Sequence, residues 1–270
     1  MRGRLLSLLA LTSSLGGTQI LWAADMPLKA PVVAPPSAEY NWAGWYAGGN
    51  IGYGWGSSSD PGISIFDPIN PGTGFPYIGF ASYFASGGNV IADLKPTGMI
   101  GGGEIGFNWT LAPAWVAGLV TDFQGSGMKN GVTNTVTPPV LGAITTNQSN
   151  SEQIDWFGTF RAKVGYAQNN WLLYGTGGLA YGHVATSGSF VSVGILDFTG
   201  SNSTTRVGWA AGAGLDYGLT SNWVVGVEYL YVDLGDVSYT ETQPAVAPST
   251  LTISNHATAQ IARASLDYKF

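Results

Sequence analysis

Apolar and polar positions alternate with a period of two in segment after segment of this chain, the pattern of β-strands with two unlike faces. Between residues 155 and 166, Asp155, Arg161 and Lys163 fall on one face, and Trp156, Phe160, Ala162, Val164 and Tyr166 on the other. Arg206 and Asp216 share a face with Gly208, Ala210, Gly212 and Gly214, opposite Val207, Trp209, Ala211, Ala213, Leu215 and Tyr217. At the end of the chain Arg263, Ser265, Asp267 and Lys269 oppose Ala262, Ala264, Leu266, Tyr268 and Phe270. Segments of this kind predict eight strands, at about 42–56, 97–110, 115–125, 153–167, 171–186, 205–218, 223–235 and 258–270. Long connections rich in Gly, Ser, Thr, Asn and Pro (57–96, 126–152, 187–204 and 236–257) alternate with tight turns at Leu111–Ala114, Gln168–Asn170 and Leu219–Asn222. The fold class expected is therefore all-β: an eight-stranded antiparallel transmembrane β-barrel with short periplasmic turns and long extracellular loops.

Parity alone does not separate a soluble barrel from a membrane barrel, because one is the other turned inside out. Three features favour the membrane. The uncharged face is bulky and aromatic, while the charged face is crowded with Gly and Ala, which suits the inside of a narrow barrel. Strands of ten or more residues match the ~9–11 needed to cross a bilayer at a tilt. Each tight turn is followed by tryptophan (Trp115, Trp171, Trp223), and the strands entering the turns carry Trp109, Tyr166 and Tyr217. These six rings are expected at one height, as an aromatic girdle at a membrane interface. The lumen charges are then Glu104, Asp122, Arg161, Lys163, Arg206, Asp216, Glu228, Arg263, Asp267 and Lys269. They read either as an ion-pair network filling the barrel or as the lining of a selective conduit. Eight strands leave an interior just wide enough for side chains, which favours the filled barrel.

Residues 1–24 read as a signal peptide: Arg2 and Arg4, the apolar stretch Leu5–Leu11, then small and polar residues ending in Trp22-Ala23-Ala24, with cleavage after Ala23 or Ala24. Residues 25–40, with Pro27, Pro31, Pro35 and Pro36, read as an extended linker, and 41–270 as the barrel. No later segment is apolar over the ~20 residues of a spanning helix, so entry into a membrane requires a closed barrel.

Composition narrows the chemistry. Only 10% of residues are charged against 45% hydrophobic, and the net charge is −6, so nucleic acid is not an expected partner. The absence of cysteine rules out thiol chemistry. Gly101–Gly106 matches G-x-G-x-x-G, but Phe107-Asn108-Trp109 continues a strand where a nucleotide site needs a helix. His183 and His256 sit at or beside loop-side strand ends; with no neighbouring carboxylate-rich cluster expected they lack metal-ligand spacing and read as surface or rim histidines. Neither a nucleophile elbow nor a P-loop is present, and no catalytic, cofactor or metal residues are expected. A lipid-directed hydrolase built on a Ser/His pair would need no such motif.

The chain ends Leu266-Asp267-Tyr268-Lys269-Phe270. A terminal Phe with Leu266 and Tyr268 at every second position before it resembles the signal read by the outer-membrane assembly machinery. The run Tyr40-Asn41-Trp42-Ala43-Gly44-Trp45-Tyr46-Ala47-Gly48-Gly49-Asn50-Ile51-Gly52-Tyr53-Gly54-Trp55-Gly56 resembles the first strand of the small outer-membrane barrels of alphaproteobacteria, the "porin family" or opacity-type surface antigens. Phe123–Ser126, Leu173–Gly182, Val207–Trp209, Gly226–Gly235 and Asp267–Phe270 match further. The resemblance implies an OmpA-like transmembrane barrel in the outer membrane of a Gram-negative cell. It implies a surface antigen that supports the envelope and presents loops, or alternatively a narrow porin for ions or small solutes. The implied partners are outer-membrane lipid, the assembly machinery, and a host or extracellular ligand at the loops. The first loop, with Phe66, Phe75, Tyr77, Phe80, Tyr83 and Phe84, departs from the family in being long and aromatic.

Overall fold

The computed structural model describes residues 40–76, 93–136, 145–192, 196–242 and 249–270, all within one compact unit that spans Ala38–Phe270. The expected signal peptide and nearly all of the linker lie outside the described residues, as do Tyr77, Phe80, Tyr83 and Phe84. Eight strands follow in order: β1 (Gly44–Phe66), β2 (Thr97–Ala112), β3 (Trp115–Val136), β4 (Thr146–Gln168), β5 (Trp171–Ser192), β6 (Leu196–Gly218), β7 (Trp223–Thr242) and β8 (Thr250–Lys269). Each pairs antiparallel with the next, and β1 pairs with β8 to close the barrel. The G-x-G-x-x-G run lies within β2, with no helix after it.

The strands start at the tight turns as the pattern predicts, but most run much further at the other end. Segments read as loop, among them 126–136, 146–152 and 236–242, continue the ladder. The polarity of these segments misleads. Beyond the apolar band the outer face is held by hydroxyl pairs such as Thr133–Ser149 (2.8 Å), Ser151–Ser187 (2.7 Å) and Thr240–Thr252 (2.9 Å), so Ser and Thr mark exposed strand here. Register shifts at Ser59/Gly62, Ile154/Trp156 and Asp233/Gly235 also escape a strict period of two. The shift in β4 puts Asp155 outside, beside His183, and not on the face of Arg161 as strict alternation expects.

Two belts of rings circle the outside. At the turn end stand Trp45, Trp109, Trp115, Tyr166, Trp171, Trp223 and Tyr268, with Tyr217 half-buried against Trp171 at 4.5 Å. Toward the loop end stand Tyr53, Phe123, Trp156, Tyr181, Trp209 and Tyr231. Trp45 and Tyr53, Trp115 and Phe123, and Trp223 and Tyr231 are each eight residues apart. At ~3.4 Å per residue and a tilt near 40°, that is roughly 20 Å, close to the ~25 Å apolar band of a membrane barrel. Ile51, Ile105, Leu119, Phe160, Val164, Leu173, Leu179, Leu215, Val227 and Leu266 fill the outer face between the belts, and no charged side chain lies among them.

Candidate functional site in the barrel lumen

Alternation turns the opposite side of every strand inward, and the described residues fill the interior in layers. Near the turn end Trp42 is buried among Val116, Leu172, Tyr174 and Val224, and Tyr40 packs on it at 4.6 Å. Lys269 donates to the Asn41 carbonyl and lies over the Tyr40 ring at 5.3 Å. This places Lys269 at the rim as an anchor for the incoming chain, a correction to its expected place in a luminal ion network. Next to the Trp42 layer, Lys163 bonds Asp216 at 2.7 Å and stands 4.0 Å from the Tyr174 ring centre. Asp267 is buried beside Ser265. The space left among Trp42, Tyr46, Asn108, Lys163, Asp216, Val224, Asp267 and Lys269 is about 20 Å³, room for one water.

The middle layer is an ion cluster. Arg161 donates to Asp122 (2.8 Å), to Glu228 (2.7 Å) and to the Thr159 hydroxyl (2.8 Å). Arg263 reaches Glu228 (2.5 Å), Asp122 (3.0 Å) and Glu104 (3.3 Å), and Asn50 donates to Glu104 at 3.2 Å. Interior glycines make this packing possible: a Cβ on Gly106 or Gly214 would lie 2.4 Å from the ring of Tyr46 or Tyr174. Sequence parity thus gathers Glu104, Asp122, Arg161, Lys163, Asp216, Glu228, Arg263 and Asp267 inside. Arg206 also points inward by parity, but nearer the loop end, and its buried Nε has no hydrogen-bond partner, so it stands apart from the cluster expected of it.

Above the ions lies a layer that sequence reading missed. Ile100, Met128, Ile154, Phe157, Val184, Ala210, Leu230, Val232, Leu234 and Ile261 form one buried apolar cluster. Polar groups return above it. Glu152 accepts from Ser58 across the lumen at 2.6 Å, and the Tyr239 hydroxyl donates to Asn150 at 2.7 Å. Burial pushes the Glu152 carboxyl up, and pushes that of Glu241 up to about 7. Tyr239, Leu251 and Ile253, with Ile63 and Ile65, make a further apolar cluster there.

The histidines lie outside, His183 stacked on Trp156 of the second belt at 5.8 Å and His256 above that belt. His256 Nδ1 is 2.8 Å from Asp236 and its Nε2 3.2 Å from Asp233, which corrects the expectation that no carboxylates surround it; β7–β8 pairing brings together what sequence separates. Hydrogen bonds to Asp236 and Asp233 raise the His256 pKa above its ordinary value. His183 Nε2 meets the Ser203 hydroxyl at 2.7 Å and Asp155 at 3.9 Å. Both approach the same ring nitrogen, whereas a nucleophile-base-orienter relay needs them on opposite ones. Among the described residues no group of three or more His, Asp and Glu side chains is arranged to hold a metal ion.

The chain matches the family model for the outer membrane protein beta-barrel domain over residues 30–270. It is 32% identical over 251 residues to the 31 kDa outer-membrane immunogenic protein of Brucella melitensis, covering 92% of each chain. It is 39% identical over 84 residues to the 22 kDa outer membrane protein of Rhizobium leguminosarum, covering 31% of this chain and 36% of that one. Among solved structures, the outer membrane protein OprG of Pseudomonas aeruginosa aligns over 84% of this chain and 96% of its own, with 16% identity and a TM-score of 0.38.

Proposed function

The chain belongs to the outer membrane protein β-barrel domain family, and from that premise we propose that it is a non-conducting barrel that supports the envelope and displays extended hairpins outside. It lies in the outer membrane, as its relatives' names state of them. The observation that carries the reading is the filled lumen. Trp42 with its neighbours, the Arg161–Arg263 ion cluster and the Ile100–Met128–Leu230 layer stand one above another among the described residues. An ion passing through would have to displace a buried ion pair and then cross hydrocarbon. The outer band takes membrane lipid, Leu266, Tyr268 and Phe270 serve the assembly machinery, and the hairpins meet whatever lies outside the cell. The Ser203–His183–Asp155 geometry supports a structural role over hydrolysis.

Refolded full-length barrel in a planar bilayer tests the proposal. Under an applied voltage it should leave the membrane at its baseline conductance. Sustained, reproducible unitary openings would replace it with the narrow-pore reading.

A further inference from the structure

The lumen above the apolar layer differs from the ion cluster below it in one respect: its acids have no basic partners. Glu152 and Glu241 are both buried, and neither forms an ion pair with a Lys or Arg among the described residues. Glu241 is 0% exposed, and neither of its carboxyl oxygens has a hydrogen-bond partner. A Cβ on Gly188 would lie 2.3 Å from Glu241 Oε1 and 2.6 Å from the Tyr239 hydroxyl, so both oxygens crowd the same bare stretch of wall. That hydroxyl gives its proton to Asn150, the register partner of Gly188, and keeps its lone pairs free of it. A second, independent signal comes from β4. Gln148 stands one interior step above Asn150, as Glu241 stands one above Tyr239. It is 2% exposed, and neither its amide oxygen nor its nitrogen has a partner. Buried carboxylates and amides are rarely left unpaired, because desolvation is then uncompensated.

The geometry points to a binding site for one hard cation of the calcium class in this chamber, with Glu241 as its principal ligand and Glu152, the Tyr239 hydroxyl and the Gln148 amide oxygen around it. The donors are all oxygen, which suits Ca²⁺ and disfavours zinc or copper, whose sites use nitrogen or sulfur. Calcium tolerates irregular shells of carboxylate, carbonyl and water oxygens, so two carboxylates with neutral oxygens suffice. The bound ion would tie β4 to β7 above the membrane, where lipid no longer supports the wall. The inference goes beyond the proposed function and stands whether or not the lower lumen conducts.

Equilibrium dialysis of refolded full-length barrel in detergent against radioactive Ca²⁺ tests it. About one saturable site per chain is expected, weakened at least ~10-fold in Glu241→Gln and several-fold in Gln148→Leu, which keeps every carboxylate. Asp233→Asn/Asp236→Asn should bind as the parent does. Where Glu241→Gln fails to give the folded, heat-modifiable band, the parent protein decides: Ca²⁺ should raise its unfolding temperature over that in chelator, and magnesium should do so less. No saturable site, undiminished binding by Glu241→Gln, loss of binding on removing Asp233 and Asp236, or no calcium effect on unfolding each overturns the inference, leaving water or a proton as the occupant.

Discussion

Replacing Arg161 by Met tests the filled lumen at its centre. The side chains of Arg161 and Asp122 have no exposure, and the guanidinium also bonds Glu228 at 2.7 Å and Thr159 at 2.8 Å. Removing one member of a buried pair costs ~3–5 kcal/mol, mostly from the charge left behind. Arg263 still reaches Asp122 at 3.0 Å and Glu228 at 2.5 Å, so both carboxylates keep one cation. The loss should therefore sit at the low end, about 3 kcal/mol, or roughly two orders of magnitude in the folding equilibrium. Adding Asp122→Asn removes part of the stranded charge, so the double variant should lose less than the two single losses combined. Urea titration of barrels refolded into lipid vesicles, followed by tryptophan fluorescence and by heat-dependent gel mobility, measures both. An Arg161→Met barrel within about 0.5 kcal/mol of the parent, the range of ordinary surface changes, would mean that water reaches the guanidinium and that the lumen is open.

Leu266→Arg, on the outer face, should cost ~2–4 kcal/mol in the same titration if it sits near the bilayer midplane, and little if that face meets water. Trp42→Ala should leave the planar-bilayer baseline unchanged, because the apolar layer above remains; unitary openings in this variant would show that Trp42 alone closes the lumen. His256 has a raised pKa in the fold, so its attraction to Asp236 and Asp233 is fully present below the unfolded value, near ~6.5, and fades as pH rises through the folded one. His256→Ala should accordingly lower the unfolding temperature at about pH 5 and not at about pH 9, by a small amount because the ring is exposed. An equal effect at both values would reduce the residue to a packing role.

Strand count, turn positions and luminal charges were legible because each rests on local alternation. One face of residues 206–217 carries Arg206 and Asp216 among glycines, and no tertiary knowledge is needed to see it. What was hidden depends on contacts between strands. The Asp233–His256 pair exists only through β7–β8 register, and the fate of Asp155 depends on a bulge that a period of two does not announce. The apolar layer was hidden differently. Met128, Ile154 and Val184 lie in or beside segments whose Ser, Thr and Asn resemble loop, so their inward alternation passed unread.

The extended hairpins and the apolar layer have one cause. Between the belts, lipid covers the outer face, so rings and aliphatic chains stabilise the wall from outside while charges pair within. Above the second belt water replaces lipid, and a wall still apolar outside and ionic inside would lose that support. Each long strand therefore exchanges its faces partway along. Thr133, Ser149, Ser151 and Ser187 turn outward, and Met128, Ile154, Val184, Leu234 and Val237 turn inward. The upper half obeys the rules of a soluble β-barrel and the lower half those of a membrane one. The same ~25 cal/mol per Å² of buried apolar surface that lipid contact supplies below must come from the protein's own interior above. That requirement sets a layer of hydrocarbon across the lumen just above the second belt, between the ion cluster below and the polar chamber of Glu152 and Glu241 above, so the height of the wall and the apolar layer arise together.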